Sequence, residues 1–307
     1  MTENPFVRKF SEDAVSALKK TPLFQGHLRS DIVGGECKGK HFVFPAVRNE
    51  EIHFYWGGGR LFSYKMSSGY STNQKFASVL IGKDGDISED ILNSPAVRLI
   101  EDFCEGYDRI KENCKNYSGL EALGVSSLYE RFSCARKGAA GVVILDIEAS
   151  FAKDGNVETT DEGQRKKKSD RIDIVSMDTQ NGMLRFIEAK HYSNGELRSS
   201  SGEPAVVGQM KRYEKQIKNR HPQILEAYKN QAKVINKIFS GSIPEPSSVD
   251  LHPILLIFGF DNDQKKGYLT SNIIPSLEAH DLRVYSVGDV KKQELEIVFR
   301  GGKQNWD

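Results

Sequence analysis

Residues 171–192, RIDIVSMDTQNGMLRFIEAKHY, constrain this chain more than any other stretch. Their apolar, β-branched content predicts two antiparallel strands, and Asn181-Gly182 between them predicts a tight two-residue hairpin turn. If Gln180 pairs with Met183, Asp173 falls opposite Lys190 and Val175 opposite Glu188. A four-residue loop instead sets Asp173 opposite Glu188. Strand side chains alternate with period two, so either register puts Asp173, Glu188 and Lys190 on one face; only an odd shift would separate them. Unpaired charges in a dry sheet are costly, so this face is expected to hold a compensating partner.

Two carboxylates and an amine on one sheet face suit phosphodiester hydrolysis. The carboxylates are hard oxygen ligands for Mg²⁺ or Mn²⁺. The lysine can hold a phosphate oxygen, help deprotonate an attacking water, or oppose charge that grows in the transition state. The same alternation points His191 to the opposite face, where it packs.

The surrounding pattern is α/β. An amphipathic helix is expected over 5–20, then short strands in KHFVFPAV, EIHFYW and RLFSYKM, the last two flanking Gly57, Gly58 and Gly59. FASVLIGKDGDIS adds a strand. Val97, Ile100, Phe103, Tyr107 and Ile110 have helical spacing, which predicts a helix from Ser94 to Asn116. A second helix is expected near Ser127, where SLYE fits a capping box. Beyond it come a central strand in GVVILDIEASFA, a charged loop with the basic run Arg165 to Lys168, and the hairpin. A long helix over Pro204 to Phe239, the strand HPILLIFGF, a helix over Asn272 to His280 and the strand DLRVYSV complete the order. This order predicts a smaller N-terminal α+β domain over 1–116 and an α/β domain over 117–307 with a central sheet flanked by helices. Tyr55, Trp56 and Phe62 are read as core of the first domain, although aromatics near its glycine loop could stack on bases.

At Asp173 and Glu188-Ala189-Lys190 the sequence resembles the PD-(D/E)XK phosphodiesterase superfamily: an acid on one strand and E-x-K on the next, with Ile172 in place of the usual proline. In GQMKRYEKQI, Gln209 and Tyr213 lie four apart on one helical face and resemble the Q-x-x-x-Y motif of the RecB-like and Cas4-like branch. The resemblance implies a restriction-endonuclease-like core and a Mg²⁺- or Mn²⁺-dependent nuclease acting on DNA, with RNA as a further substrate class. It implies a metal held by Asp173, Glu188 and the Ala189 carbonyl, Lys190 supporting the nucleophile, and Gln209 and Tyr213 positioning the site. An upstream acid often adds a ligand in that branch; Glu130 fits the location, with Asp146 or Glu148 as alternatives. Lys211, Arg212, Lys215, Lys218 and Arg220 give the motif helix a basic side for phosphates, and Lys166 and Lys167 could act as a basic arm. The biology implied is prokaryotic or phage defence, restriction or repair. Two other readings fit the motif: a non-catalytic DNA-docking subunit, and an effector activated when a protein partner or small ligand engages the N-terminal domain.

Charge narrows the choices. With 43 basic and 42 acidic residues the net charge is +1, so any attraction to nucleic acid must come from local surfaces. The apolar stretches are too short for a signal peptide or membrane span, which makes a cytoplasmic location the expectation, with no membrane partner. Cys37, Cys104, Cys114 and Cys134 lack zinc or iron–sulfur spacing and are expected to be thiols in a reducing compartment. A protein partner or homo-oligomer stays open.

Overall fold

The computed structural model describes residues 6–34, 42–80, 97–151, 171–199 and 202–290, with Glu296 and Val298. Helix α1 spans Glu12–Lys20, starting where Ser11 Oγ accepts the Ala14 N–H, and α2 spans Arg29–Val33. Strands β1 Phe44–Val47, β2 Ile52–Trp56, β3 Gly59–Lys65 and β4 Gly69–Ser71 form an antiparallel sheet in that order. Gly57 and Gly58 turn between β2 and β3 at φ of 54° and 85°, which glycine adopts without strain. Helix α3 (Gln74–Ala77) leads into β5 (Ser78–Leu80), which pairs with β6 (Val97–Leu99). Helices α4 (Tyr107–Asn116) and α5 (Leu120–Phe132) follow, and the expected boundary at 116/117 falls in the turn between them.

The remaining elements build the larger sheet. Strands β7 (Val142–Ser150), β8 (Arg171–Asp178) and β9 (Met183–His191) are antiparallel neighbours. The 35-residue helix α6 (Ala205–Phe239) then makes the long crossover that a parallel neighbour requires. Strand β10 (Ser248–Val249) pairs parallel with β9, as does β11 (Ile254–Phe258). Helix α7 (Ile274–Glu278) leads to β12 (Arg283–Val287), giving the order β12-β11-β9-β8-β7. The molecule is therefore α/β, with a mixed sheet flanked by helices and a separate antiparallel sheet.

Two of the sequence expectations fail here because of local bonding and strand pairing. Residues 97–99 are a strand, because Val97 and Leu99 find β partners in Leu80 and Ser78; helix begins only at Tyr107, after Asp102 Oδ1 accepts the amides of Cys104 and Glu105. The hairpin turn holds four residues, since Asp178 pairs with Met183. The Asp178 carboxylate accepts from the Gln180 amide and the Asn181 side chain, while Asn181 Oδ1 accepts the Met183 amide. These side-chain bonds favour a wider loop over the two-residue turn.

The N-terminal segment and the large sheet share one core. A single apolar cluster runs from Phe6 and Leu18 through Phe54 and Phe62 to Val175, Phe186, Tyr228 and Leu255. Tyr55 belongs to the second cluster, which packs Val125, Leu128 and Tyr129 of α5 against Ile144, Ile174, Ile187 and Leu256 on the opposite sheet face. The join is also electrostatic. A bulge between Ile144 and Asp146 turns both Leu145 and Asp146 toward α6, where Gln231 donates to the Leu145 carbonyl. Asp146, fully buried, accepts from Arg8 Nη2 at 3.1 Å, Arg48 Nη1 at 2.7 Å and Tyr228 at 3.1 Å. Burial alone would raise its pKa, but the Arg48 and Arg8 guanidiniums bring it below the usual value.

Removing one partner of a buried charge is far costlier than breaking an exposed pair. Arg48→Ala should therefore lower unfolding free energy by about 3–5 kcal/mol. Arg171→Ala breaks the exposed Arg171–Glu148 pair and should cost at most ~1 kcal/mol. Urea titrations of both variants check the contrast.

Candidate active site

The end of the β8–β9 hairpin collects the predicted residues. The observed register continues to place Asp173 across from Glu188, beyond the last ladder pair, Ile174 with Ile187. Asp173, Glu188 and Lys190 share the face that carries Val175, Leu184 and Phe186, the face covered by α6. Asp173 Oδ2 accepts the Ala189 amide at 2.8 Å. In a strand the N–H and C=O of one residue leave by the same edge, so the Ala189 carbonyl faces Asp173 too.

Glu188 is 2% exposed and Lys190 7% exposed, which is unusual for both residue types. Lys190 Nζ lies 3.0 Å from Glu188 Oε1 and 2.7 Å from Glu196 Oε2. Gln209 Nε2 donates to Glu188 Oε1 at 3.0 Å and to the Tyr213 hydroxyl at 2.7 Å, and Tyr213 donates to the Arg171 carbonyl. One turn of α6 thus grips both strands of the hairpin. Tyr213 also eases the Glu188 charge, but its one proton is committed to Arg171. Glu188 Oε2 is buried with no hydrogen-bond partner among the described residues.

The acid bonded to the end of β9 is not among those expected upstream. Helix α5 begins at Leu120, not near Ser127, and the Ser127 hydroxyl donates back to the Leu123 carbonyl instead of capping. Glu130 therefore sits toward the far end of α5, nine residues or roughly 14 Å along the axis from Glu121, and its charge acts on Lys111. Asp146 is consumed by Arg8, Arg48 and Tyr228, and Glu148 pairs with Arg171 at 2.8 Å. Glu121, in the first turn of α5, reaches the end of β9: its Oε1 accepts the His191 amide at 3.1 Å and Asn194 Nδ2 at 2.5 Å. Gly124 permits this approach, since a Cβ there would lie 2.2 Å from the Phe258 ring. The available signal was an acid just after Ser118-Gly119 at the head of an apolar stretch, overridden by the SLYE pattern.

Compared with family models, curated proteins and solved structures, the chain matches none.

Asn194 also caps the short turn Gly195–Leu197 by accepting the Glu196 amide, which fixes Glu196 over Lys190. Glu196 is thus a second residue that spacing alone did not reveal. His191 packs its ring against Phe258 at 5.6 Å. Lys211, Arg212 and Lys215 are exposed on α6; Lys211 pairs with Glu203 and Lys218 with Glu214, each at 2.6 Å. Lys166 and Lys167 lie outside the described residues, as does Cys37. Cys104, Cys114 and Cys134 are free thiols, and burial pushes Cys114 up to about 12, so it is no ready nucleophile.

The electrostatics have a definite sign. Burial, then the neighbouring Glu188 charge, raises the Asp173 pKa well above the ordinary aspartate value, and burial likewise raises Glu188. Burial would lower Lys190, but the Glu188 and Glu196 carboxylates outweigh it and raise its pKa. Lys190 is therefore an ammonium at neutral pH. Three carboxyl groups, from Asp173, Glu188 and Glu196, bear on this ammonium, and the Glu121 charge adds to the pressure that raises Asp173 and Glu188. Among the described residues no three His, Cys, Asp or Glu side chains already form a closed metal cluster.

Because the folded pKa of Asp173 is raised, its ionised form is destabilising, and that penalty grows as pH rises from the ordinary aspartate value through the raised one. In EDTA, Asp173→Asn should accordingly be more stable than the parent at pH 8, with the difference shrinking toward zero at pH 4. Thermal melts across pH check this; a difference independent of pH would contradict it.

Proposed function

We propose that this protein is a metal-dependent nuclease that hydrolyses phosphodiester bonds in DNA, with a PD-(D/E)XK-like hairpin as its catalytic core. The observation that carries the reading is the grouping of Asp173, Glu188 and Lys190 on one face with Gln209 of α6 bonded directly to Glu188. A structural ion pair alone is a weak reason to keep so many acids here, since buried pairs are often no better than apolar side chains of the same volume.

The residues fit a hard divalent cation. Two carboxyls stand opposite each other with raised pKa values, and the buried Glu188 Oε2 lacks a partner among the described residues. Mg²⁺ is commonly held by only one or two carboxylates and otherwise keeps water, so a closed cluster is not required. Asp173, Glu188 and the Ala189 carbonyl would hold Mg²⁺ or Mn²⁺, with Glu121 nearby as a further acid. When bound, the ion would polarise a phosphoryl oxygen and lower the pKa of a coordinated water.

The chain's own groups take distinct parts. Lys190, kept protonated, opposes negative charge that grows on the phosphate; it is not a base in this arrangement. Glu196 and Glu188 hold its ammonium in place, Gln209 fixes the Glu188 carboxylate, and Tyr213 ties Gln209 to the backbone of β8. Lys211, Arg212 and Lys215 on the exposed side of α6 are suited to phosphate contacts, with RNA as the second substrate class. Among the described residues no helix is long and apolar enough to cross a membrane. A cytoplasmic enzyme of defence, restriction or repair is the biological setting this reading implies.

Linear, circular and single-stranded DNA, and RNA, incubated with Mg²⁺, Mn²⁺ or EDTA provide the test. Cleavage should require the ion, and Lys190→Ala should reduce it by about 10²–10³-fold, the scale of one electrostatic contact to the transition state. Glu188→Ala should abolish cleavage. Calorimetry should show a Mn²⁺ site in the parent protein that Asp173→Asn weakens at least tenfold. Equal degradation by the parent and both active-site variants would refute the assignment.

A further inference from the structure

A cleft of about 490 Å³ opens beside this site, between the N-terminal sheet, the start of α5 and the outer ends of β7 and β8. Its basic wall carries Arg48, Arg60, Lys75 and Arg171, and Tyr117 lines it with 60% of its surface exposed. Arg48 and Arg171 are paired with Asp146 and Glu148, whereas Arg60 and Lys75 make no ion pair among the described residues. Lys75 Nζ instead stands 4.7 Å from the centre of the Tyr117 ring. The positive field is felt inside the cleft: burial and then the charge of Arg48, with Arg60 adding to it, hold His53 down to about 4 despite Glu51.

Two of the cleft's walls are chain neighbours of the candidate active site. Arg171 is two residues before Asp173 on β8, and its carbonyl is the group held by Tyr213. Ser118, Gly119 and Ala122 line the cleft while Glu121, among them in sequence, reaches the end of β9. Gly119 is the N-cap of α5 and supplies no side-chain cap, so the first amides of that 13-residue helix add positive potential at the same wall.

The dimensions select the ligand. A volume of this size belongs to the range of small-molecule pockets, about 300–1,000 Å³, enough for a nucleotide-sized segment. A duplex does not enter such a space; its major groove alone is ~12 Å wide. A cationic groove with an exposed aromatic ring is the combination that binds single strands, through phosphates on the cations and a base on the ring. We propose that this cleft holds an unpaired nucleic-acid strand next to the phosphate presented to Asp173 and Glu188, so that the substrate is a strand end or single-stranded segment rather than intact duplex. The assignment of the neighbouring phosphate rests on the nuclease reading; the strand-binding cleft itself does not.

Binding of the full-length chain to a fluorescent single-stranded DNA oligonucleotide, an RNA of the same sequence and the blunt DNA duplex, all in EDTA, separates the two. A single strand of DNA or RNA should bind at least tenfold tighter than duplex, and the tighter of the two names the substrate. The double variant Arg60→Ala/Lys75→Ala should weaken strand binding tenfold or more and flatten its dependence on log salt by about 1.4, the value for two phosphate contacts on a single strand. Tyr117→Ala should weaken binding about fivefold or more with the salt slope unchanged. These side chains are exposed, so melting curves should match the parent, and Lys65→Ala on the same sheet, at the far end of β3, should bind as the parent does. Duplex bound as tightly as the single strand, or cleft variants that bind like the parent, would overturn the proposal. Strand binding lost in the cleft variants of a protein that cleaves nothing would leave the cleft standing and remove the nuclease reading; cleavage with cleft variants unaffected would do the reverse.

Discussion

The buried pairing of Glu188 with Lys190 is the constraint on which the rest of the site depends. An ammonium and a carboxylate 2% to 7% exposed need partners; two further elements bond them, a third sets an acid opposite, and Glu188 Oε2 is left without a hydrogen bond among the described residues. Helix α6 brings Gln209 to Glu188, the turn after β9 brings Glu196 to Lys190, and β8 brings Asp173 opposite. Each of these supports is itself anchored: Gln209 through Tyr213 to Arg171, and Glu196 through Asn194 to Glu121 on α5. A small shift of α6 would break a bond to a buried charge, and one of α5 would break the bond that holds Asn194. This gives the site the rigidity that precise chemistry requires.

A second charge network does similar work at the seam between the two sheets. Asp146, displaced inward by a bulge, ties Arg8 and Arg48 of the N-terminal segment to Tyr228 of α6. The apolar cluster that crosses the same seam makes the N-terminal sheet part of the core rather than an appendage. That placement lets Arg60, Lys75 and Tyr117 share a cleft with Arg171, two residues before Asp173, although they are remote from it in sequence.

Much of this was legible in the sequence where local rules dominate. Period-two alternation put Asp173, Glu188 and Lys190 on one face whichever even register held, and the four-residue spacing of Gln209 and Tyr213 put both on the inner side of α6. What failed depended on competing side-chain bonds or distant partners. The turn widened because Asp178 and Asn181 bond the backbone locally. A capping pattern at Ser127 outweighed the true start of α5 and transferred the upstream acid from Glu121 to Glu130. Asp146 reads as a candidate ligand from position alone; only the arrival of Arg8 and Arg48 from more than 90 residues away shows it is structural. The cleft could not be read at all, because its walls come from five stretches of chain brought together by tertiary packing.

The central claim is that Asp173 and Glu188 share a divalent ion. Crystals soaked in Mn²⁺ and measured at a wavelength where manganese scatters anomalously test it most directly. The account predicts an anomalous peak between the Asp173 and Glu188 carboxylates, at oxygen distances of about 2.0–2.3 Å, with Lys190 still beside it. A fully soaked crystal with no peak there, and Glu188 bonded only to Lys190 and Gln209, would contradict it.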